Sequence, residues 1–210
     1  LGPSFPTRRS SDLVSSMQID NPERGFSFKS EGPLDLRLNP NKGQSAADRL
    51  KTILLDELEG MLVENSDEPN AAAIARAIIS QRQKGIEILT TTQLQQIIKD
   101  ALKFIPGNNG NDAIKKTCQR CFQALRIDVN DEFEVLYEFL EKLPTTLAKG
   151  GRVAILSFHS GEDRLVKKSF QRFFREGVYR EIAPDPIRPS SEECNSNGRA
   201  HSAKLRWAIK

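Results

Sequence analysis

The chain has 210 residues, 38% of them hydrophobic and 28% charged, which is enough to bury the core of one ordinary domain or of a domain that carries an insert. Its 31 basic residues against 28 acidic ones give a net charge of +3, which permits a polyanionic partner without demanding one, because nucleic-acid surfaces depend on clustered charge. Three cysteines are too few for a disulfide scaffold, and no apolar run approaches the about 18 residues of a membrane span. We therefore expect a soluble protein of a reducing compartment.

The first residues do not look native. Residues 4–13, SFPTRRSSDL, are polar and unpatterned, lack the apolar stretch of a signal peptide, and resemble the translation of a sequencing adapter read in one frame. We therefore predict that residues 1–13 are a non-native or disordered leader and that native sequence starts near Val14. An Arg- and Ser-rich transit peptide is the alternative.

A loop and three helices are predicted next. Residues 21–45 are dense in Gly, Pro and Asn, which are typical of turns, but Phe and Leu recur among them, so they predict an ordered loop that packs on a core. Apolar residues at helical spacing and capping residues then predict helices over residues 45–63, over residues 69–84, and from a cap at Thr92 onwards. Residues 43–112 are therefore predicted to form a small helical unit without strands.

One long helix is predicted over residues 113–143, where apolar residues recur every three or four positions. On a neighbouring face of this helix, Gln123, Arg126 and Asn130 lie within a narrow arc, so their polar ends are predicted to converge. A solvated helix face is the alternative. Cys118-x-x-Cys121 resembles half of a redox or zinc site, but there is no second pair, so we predict two small helix residues and no metal site.

A strand and two further elements end the chain. Residues 147–158 leave a helix through Gly150-Gly151 and enter a strand whose apolar run does not alternate, which is typical of a strand buried on both faces of an α/β sheet. A helix over residues 161–175 and a last strand within residues 199–210 follow. Helix, buried strand and helix are the unit of a parallel sheet.

The short sequence HSGED, residues 159–163, follows the predicted strand at its carboxyl end, where open α/β sheets bind ligands. Ser160-x-x-Asp163 resembles an N-terminal capping box, which accounts for those two residues but not for His159. A serine hydrolase needs G-x-S-x-G and a phosphate-binding loop needs glycines after the strand, and neither pattern is present. The sequence therefore indicates a strand-end loop whose serine caps a helix while its histidine and acids face a ligand.

Four separated segments carry a resemblance. NPERGFSFKSEGPLDLRL, FQALRIDVNDE, GGRVAILSFHSGEDRLVK and PIRPSSEE followed by SAKLR come in the order and spacing of the MraW/RsmH family, S-adenosylmethionine-dependent methyltransferases that modify a cytidine N4 in the decoding region of small-subunit ribosomal RNA. The resemblance implies an α/β fold: a partial Rossmann-like class I methyltransferase sheet, with its N-terminal strands missing, formed by residues 14–42 and 113–210. Residues 43–112 are then an inserted all-helical subdomain.

The resemblance also implies site residues. VSSMQ matches the family's DLGVSS-x-Q, so Gln18 matches a residue that contacts the methyl donor, S-adenosylmethionine, while the glycine-rich donor loop lies upstream and the fragment is expected to be inactive alone. The target pocket is predicted to be bordered by His159, Ser160, Glu162, Asp163, Asp35, Arg37, Arg126 and Asn130. The sequence departs from the family at Gly161, where leucine is usual, and at Gly198 and His201, which puts one phosphate contact in doubt.

Cationic side chains are predicted to contact RNA phosphates, with a charged surface face as the alternative. They are Arg37, Arg126, Lys167, Lys168, Arg172, Arg175, Arg188, Arg199, Lys204 and Arg206. The expected partner is small-subunit ribosomal RNA or the small ribosomal subunit, with no membrane, in a bacterial cytoplasm or in a plastid or mitochondrion; a homodimer stays open. The alternative function is a non-catalytic RNA-binding or ribosome-assembly module.

Overall fold

A computed structural model describes residues 21–103, 105–107 and 110–210; the predicted leader and Gln18 lie outside them. Within this part the helices are α1 (Ala46–Thr52), α2 (Leu55–Ser66), α3 (Ala71–Gln83), α4 (Thr91–Leu102), α5 (Asn111–Val129), α6 (Glu132–Thr146), α7 (Ser160–Arg175) and α8 (Ser191–Ser196). The strands are β1 (Arg152–Ser157), β2 (Glu181–Ile182) and β3 (Lys204–Ile209). The chain divides after Glu132 into two compact units. No described helix has the length and apolar character that a membrane crossing needs.

The first unit is helical, and local capping explains where its helices begin. Ser45 accepts a hydrogen bond from the Asp48 N–H at 3.1 Å and so caps α1 as predicted. α4 is capped by Thr90 rather than Thr92, because Gln93 bonds back to the Thr90 N–H in a capping box. The predicted helix over residues 45–63 is wrong in one respect: Ile53 has extended backbone and separates α1 from α2.

The predicted long helix over residues 113–143 is also wrong, because α5 ends at Val129 and α6 begins at Glu132. Asp131, with φ +50°, takes the left-handed conformation that ends helices. The core of the first unit joins these helices to the loop before them, since Leu34 and Leu36 are each 1% exposed and belong to the same cluster as Leu58. The predicted ordered loop is therefore confirmed, while the predicted domain boundaries stay a prediction.

Gly60 gives a direct test of helix propensity. It lies inside α2, and a Cβ atom placed there meets no other atom within 4 Å. Gly60→Ala is therefore expected to raise the free energy of unfolding by about 0.5 to 1 kcal/mol, because alanine loses less backbone entropy in a helix. Urea denaturation measures the change. Gly110→Ala is the matched control: Gly110 also faces open space but is the N-cap of α5, where alanine is disfavoured, so no gain is expected there.

The second unit is a small sheet with helices on one face. The strand order is β1-β3-β2, and β3 is antiparallel to both neighbours. One face of β1 packs, through Val153 and Ile155, on a cluster that includes Leu140 and Phe170 of α6 and α7. The prediction of a strand buried on both faces is wrong for the described residues, since Leu156 on the other face is 46% exposed. β1 alternates because helices cover one side of it.

Candidate functional site

Asp35 and Arg37 of the first unit form a close ion pair within the sequence DLRL. Arg37 donates from Nε to Asp35 Oδ1 at 2.7 Å and from Nη2 to Oδ2 at 2.8 Å, and its Nη1 donates to the Gly43 carbonyl. Burial raises the pKa of Asp35, but the hydrogen bonds and charge of Arg37 more than offset it, so the pKa lies below its ordinary value. Asp35 is therefore an ionised hydrogen-bond acceptor at neutral pH, and its negative charge balances the positive charge of Arg37.

The backbone around this pair is held by two side chains. Leu36 has φ +63°, a conformation that costs leucine about 1 to 2 kcal/mol, and so needs outside support. Asn130 donates from Nδ2 to the Leu36 carbonyl at 2.8 Å and accepts from the Leu38 N–H at 2.7 Å. Arg24 donates to the carbonyls of Arg37 and Leu38 at 2.9 and 2.8 Å. Three consecutive residues are thus fixed in one geometry, which keeps the Asp35 carboxylate in place.

These hydrogen bonds change the roles predicted for the polar residues of α5. Asn130, predicted to border the target pocket, uses its amide on backbone groups, including the Arg126 carbonyl, and is better described as a positioning residue. Arg126 donates to both carboxylate oxygens of Glu132, and Gln123 donates to the Asn65 carbonyl. The predicted convergence of Gln123, Arg126 and Asn130 is wrong, because each side chain bonds a different partner. Sequence reasoning missed Arg24, whose only signal was its place in NPERGF.

In the second unit, the turn from β1 into α7 carries the HSGED sequence. His159, not Ser160, is the N-cap of α7: its Nδ1 accepts from the Glu162 N–H at 3.4 Å. Glu162 Oε2 in return accepts from the N–H groups of Phe158 and His159, at 2.9 and 3.4 Å. The prediction that capping involves Ser160 and cannot account for His159 is therefore wrong. The imidazole replaces the usual hydroxyl of a capping box.

The capping geometry leaves one ring nitrogen without a hydrogen bond. His159 Nε2 is buried and lies 3.2 Å from Glu162 Oε1, but it is not aligned for a hydrogen bond. Because Nδ1 accepts, a neutral imidazole carries its proton on Nε2. Glu162 is itself 5% exposed, whereas Ser160 is exposed at the first position of the helix. The turn thus combines a half-buried histidine and a buried carboxylate with an exposed serine.

Asp163, the last residue of the predicted site, belongs to a buried ion cluster. Arg206 donates to Oδ1 at 2.6 Å and to Oδ2 at 3.3 Å, and Lys204 donates to Oδ2 at 3.3 Å. Burial raises the pKa of Asp163, but the hydrogen bond and charge of Arg206, with the charge of Lys204, lower it below the ordinary value. Arg206 is only 5% exposed, so we assign it to the interior rather than to an RNA surface.

The other predicted RNA-binding cations of the second unit differ in their surroundings. Arg172 pairs with Glu141 and lies over the Phe173 ring, 4.3 Å from its centroid. The remaining members are exposed: Lys167, Lys168, Arg175, Arg188 and Arg199. Exposure is what a phosphate contact needs, so these five remain candidates while Arg172 is engaged within the unit.

Gly161, where leucine is usual in the family that the sequence resembles, is explained by a neighbouring ring. A Cβ atom at this position would lie 2.5 Å from Cζ of Phe133. The same ring lies 5.8 Å, centroid to centroid, from the His159 imidazole. Phe133 therefore fills the space in which a larger side chain would start, and the glycine lets the ring pack beside the capping histidine.

Comparisons with known proteins identify the family of the chain. The model of the MraW methylase family matches residues 11–210, and the chain belongs to that family. It is 85% identical over 197 residues to ribosomal RNA small subunit methyltransferase H 2 of Alkaliphilus metalliredigens. This alignment covers 94% of the chain and 56% of that protein. It is 68% identical to ribosomal RNA small subunit methyltransferase H 1 of Lachnoclostridium phytofermentans, in an alignment that covers 94% of the chain and 54% of that protein. The chain thus spans little more than half the length of these two relatives.

Proposed function

We propose that this chain is part of an enzyme that transfers the methyl group of S-adenosylmethionine to N4 of a cytidine in the decoding region of small-subunit ribosomal RNA. The observation that carries the proposal is the family match over residues 11–210, together with relatives that are named for small-subunit ribosomal RNA methylation. Those relatives come from bacteria, which supports a cytoplasmic ribosome as the partner. Gln18, predicted to contact the methyl donor, lies outside the described residues, so the site residues proposed below are those of the acceptor side.

The sheet supports a Rossmann-like methyltransferase core. Because β3 is antiparallel to both β1 and β2, those two strands run in the same direction, and α7 lies between them in the chain. A strand, a helix and a second parallel strand form the repeating unit of such sheets. The outer edge of β1 has no strand partner among the described residues, and Leu156 is exposed beside it. We propose that in the full-length protein further strands pair with this edge, and that the present chain alone is inactive.

The chemistry explains what the acceptor side must do. The exocyclic amine of cytosine is a poor nucleophile because its lone pair is delocalised into the ring, so catalysis depends on holding the amine at the correct distance and angle from an electrophilic methyl group, which S-adenosylmethionine supplies. The base must also leave its stack to be held in this way. The Asp35 carboxylate can accept a hydrogen bond from the amine, and its low pKa suits it to orienting the amine more than to removing a proton.

The β1–α7 turn offers a second candidate group for base binding. The Nε2 proton of His159 is a buried donor without an aligned acceptor, which is costly unless a ligand completes it. The O2 and N3 atoms of cytosine are acceptors of the required kind. Glu162 holds the imidazole through the capping box, and Ser160 next to it is exposed. In this proposal His159 binds the base, whereas Glu162 and Asp163 position the turn.

A chimera tests the function. The matching segment of the Alkaliphilus metalliredigens relative is replaced by residues 21–210 of this chain, and transfer of radiolabelled methyl from S-adenosylmethionine to small-subunit ribosomal RNA is measured. We expect N4-methylcytidine in the RNA with the chimera and none with the 210-residue chain alone. A folded chimera that binds RNA but leaves it unmethylated would refute the catalytic proposal and favour the RNA-binding or assembly module.

Substitution of His159 in the chimera separates its capping role from base binding. Asparagine is a good N-cap, so His159→Asn is expected to keep α7 folded while it removes the Nε2 donor. The expected result is a fall in methyl transfer of about 100-fold, in the range of a lost transition-state hydrogen bond, with little change in the melting temperature. His159→Ala removes the cap as well and adds a loss of stability of about 1 kcal/mol. Full activity of His159→Asn would show that the histidine serves only as a cap.

A further inference from the structure

The outward side of α7 is strongly basic. Its exposed side chains, which we call the α7 basic face, are Arg164, Lys167, Lys168, Gln171, Phe174 and Arg175. The two acidic residues of the same helix, Glu162 and Asp163, point inward and are 5% and 9% exposed. Both acidic residues of α7 thus lie in the interior, while most of its cations lie on the surface.

Lys167, Lys168 and Arg175 differ from Arg172, which pairs with Glu141 and Glu176. Lys167 and Lys168 are not in an ion pair with any residue that the structure describes. Arg175 donates from Nε to the Gln171 carbonyl, a neutral acceptor that leaves the positive charge of the guanidinium uncompensated. Unneutralised cations on a rigid helix favour an anionic partner, because binding releases the counterions of a polyanion.

The spacing of the side chains on this face suits an extended nucleic-acid strand. Positions 164, 168, 171 and 175 follow one another at helical spacing, so they form a stripe of about 16 Å along the helix. Phe174, beside this stripe, is 45% exposed although it is a large apolar side chain. Exposed aromatic rings within a basic surface are typical of proteins that stack unpaired bases while cations hold the phosphates.

We propose that the α7 basic face binds a single-stranded segment of RNA, with Lys167 and Lys168 on its phosphates and Phe174 stacked on a base. The assignment rests on the proposed function, which makes ribosomal RNA the partner. It adds a surface outside the HSGED turn and Asp35, and it gives a role to Phe174. The single-stranded form follows from the ring, since a base can stack on Phe174 only when it is out of a duplex.

Charge reversal tests the phosphate contacts. Lys167→Glu/Lys168→Glu is compared with Lys115→Glu/Lys116→Glu, an adjacent and exposed lysine pair on α5 that undergoes the same change of net charge. Binding of the 210-residue chain to a fluorescent RNA of about 12 nucleotides is measured by anisotropy at several salt concentrations. For the α7 variant we expect a loss of affinity of at least tenfold, and a salt slope reduced by about 1.4, which is about 0.7 for each phosphate. The α5 variant is expected to lose much less.

Removal of the ring tests the stacking. Phe174→Ala is compared with Phe139→Ala, a phenylalanine of α6 with nearly the same exposure, 44% against 45%. We expect Phe174→Ala to weaken binding of the single-stranded RNA at least fivefold and to leave binding of the matching duplex unchanged. Phe139→Ala is expected to change neither. Circular dichroism melts establish that each variant is folded.

The outcomes separate this proposal from the one on which it rests. If the unsubstituted chain shows no salt-dependent RNA binding, both the RNA part of the proposed function and the surface are refuted. If it binds RNA but the α7 and α5 variants are equal, only the surface is wrong. Equal loss of single-stranded and duplex binding on Phe174→Ala would contradict the stacking. Tighter binding of the chain to phosphatidylglycerol vesicles than to RNA, lost in the α7 variant, would assign the face to a membrane surface instead.

Discussion

Replacement of Asp163 by alanine is expected to destabilise the second unit by about 3 to 5 kcal/mol, which is the usual effect of leaving a buried charge without its partner. Arg206, 5% exposed, donates twice to the Asp163 carboxylate, and Lys204 donates to the same group. Alanine removes all three bonds and leaves the buried guanidinium of Arg206 without its carboxylate partner. Urea denaturation followed by the fluorescence of Trp207 on β3 measures the loss.

A double substitution is the control. In Asp163→Leu/Arg206→Met both charges are replaced by apolar groups, so no charge is left unpaired and most of the stability is expected to return. Arg206→Met alone is expected to be nearly as harmful as Asp163→Ala, because it leaves the carboxylate buried with Lys204 as its one remaining cation. A double variant as unstable as either single one would show that packing, and not charge pairing, controls this position.

The same pair makes stability depend on pH. The pKa of Asp163 is lower in the folded chain than its ordinary value of 3.8, so the ionised form is favoured by folding. The stabilisation is therefore complete above the ordinary value and is lost as the pH falls through the lower, folded pKa. The difference in unfolding free energy between the unsubstituted chain and the double variant is expected to shrink between about pH 5 and pH 2. A difference that stays constant over this range would contradict the assignment.

Local patterns in the sequence predicted the helical unit well, because caps and apolar spacing act within one or two turns of a helix. Ser45 shows this, since it caps α1 as predicted. The break at Asp131 was missed since the apolar period continues through it, and a period records which face is apolar without showing that the backbone is continuous. The cap of α7 was assigned to Ser160 because hydroxyls are common caps and imidazoles are not.

The site was predicted less well, for a physical reason. HSGED and DLRL were identified as site sequences, but what each side chain bonds depends on residues far along the chain. Asp163 meets Arg206, 43 positions away, and Asn130 meets Leu36, 94 positions away. No local pattern contains such a pairing, so residues that look available for chemistry turn out to hold the backbone. The apolar run of β1 likewise indicates a strand that contributes to a core, but it does not indicate which face of the strand the neighbouring elements cover.

Gly25→Ala is the second substitution with a large expected effect. Gly25 is buried and has φ +69°, and a Cβ atom there would lie 2.0 Å from the Pro33 carbonyl oxygen and 3.0 Å from the Asp35 nitrogen. The left-handed conformation costs alanine about 1 to 2 kcal/mol, and the overlap with backbone adds about 1 to 3 kcal/mol because no side-chain rotation can relieve it. A total loss of about 2 to 5 kcal/mol is expected in urea denaturation of the first unit.

Gly85→Ala isolates the overlap from the backbone strain. Gly85 has nearly the same φ, +76°, but a Cβ atom there meets nothing within 4 Å, so only the cost of about 1 to 2 kcal/mol is expected. The excess loss of stability in Gly25→Ala then measures how tightly Gly25 packs on the Pro33 carbonyl within the loop before α1. Because the added atom presses on the nitrogen of Asp35, Gly25→Ala is also expected to displace that carboxylate and to lower methyl transfer in the chimera more than Gly85→Ala does. Equal effects of the two substitutions on stability and on transfer would show that this loop yields to the extra atom and does not hold Asp35 in place.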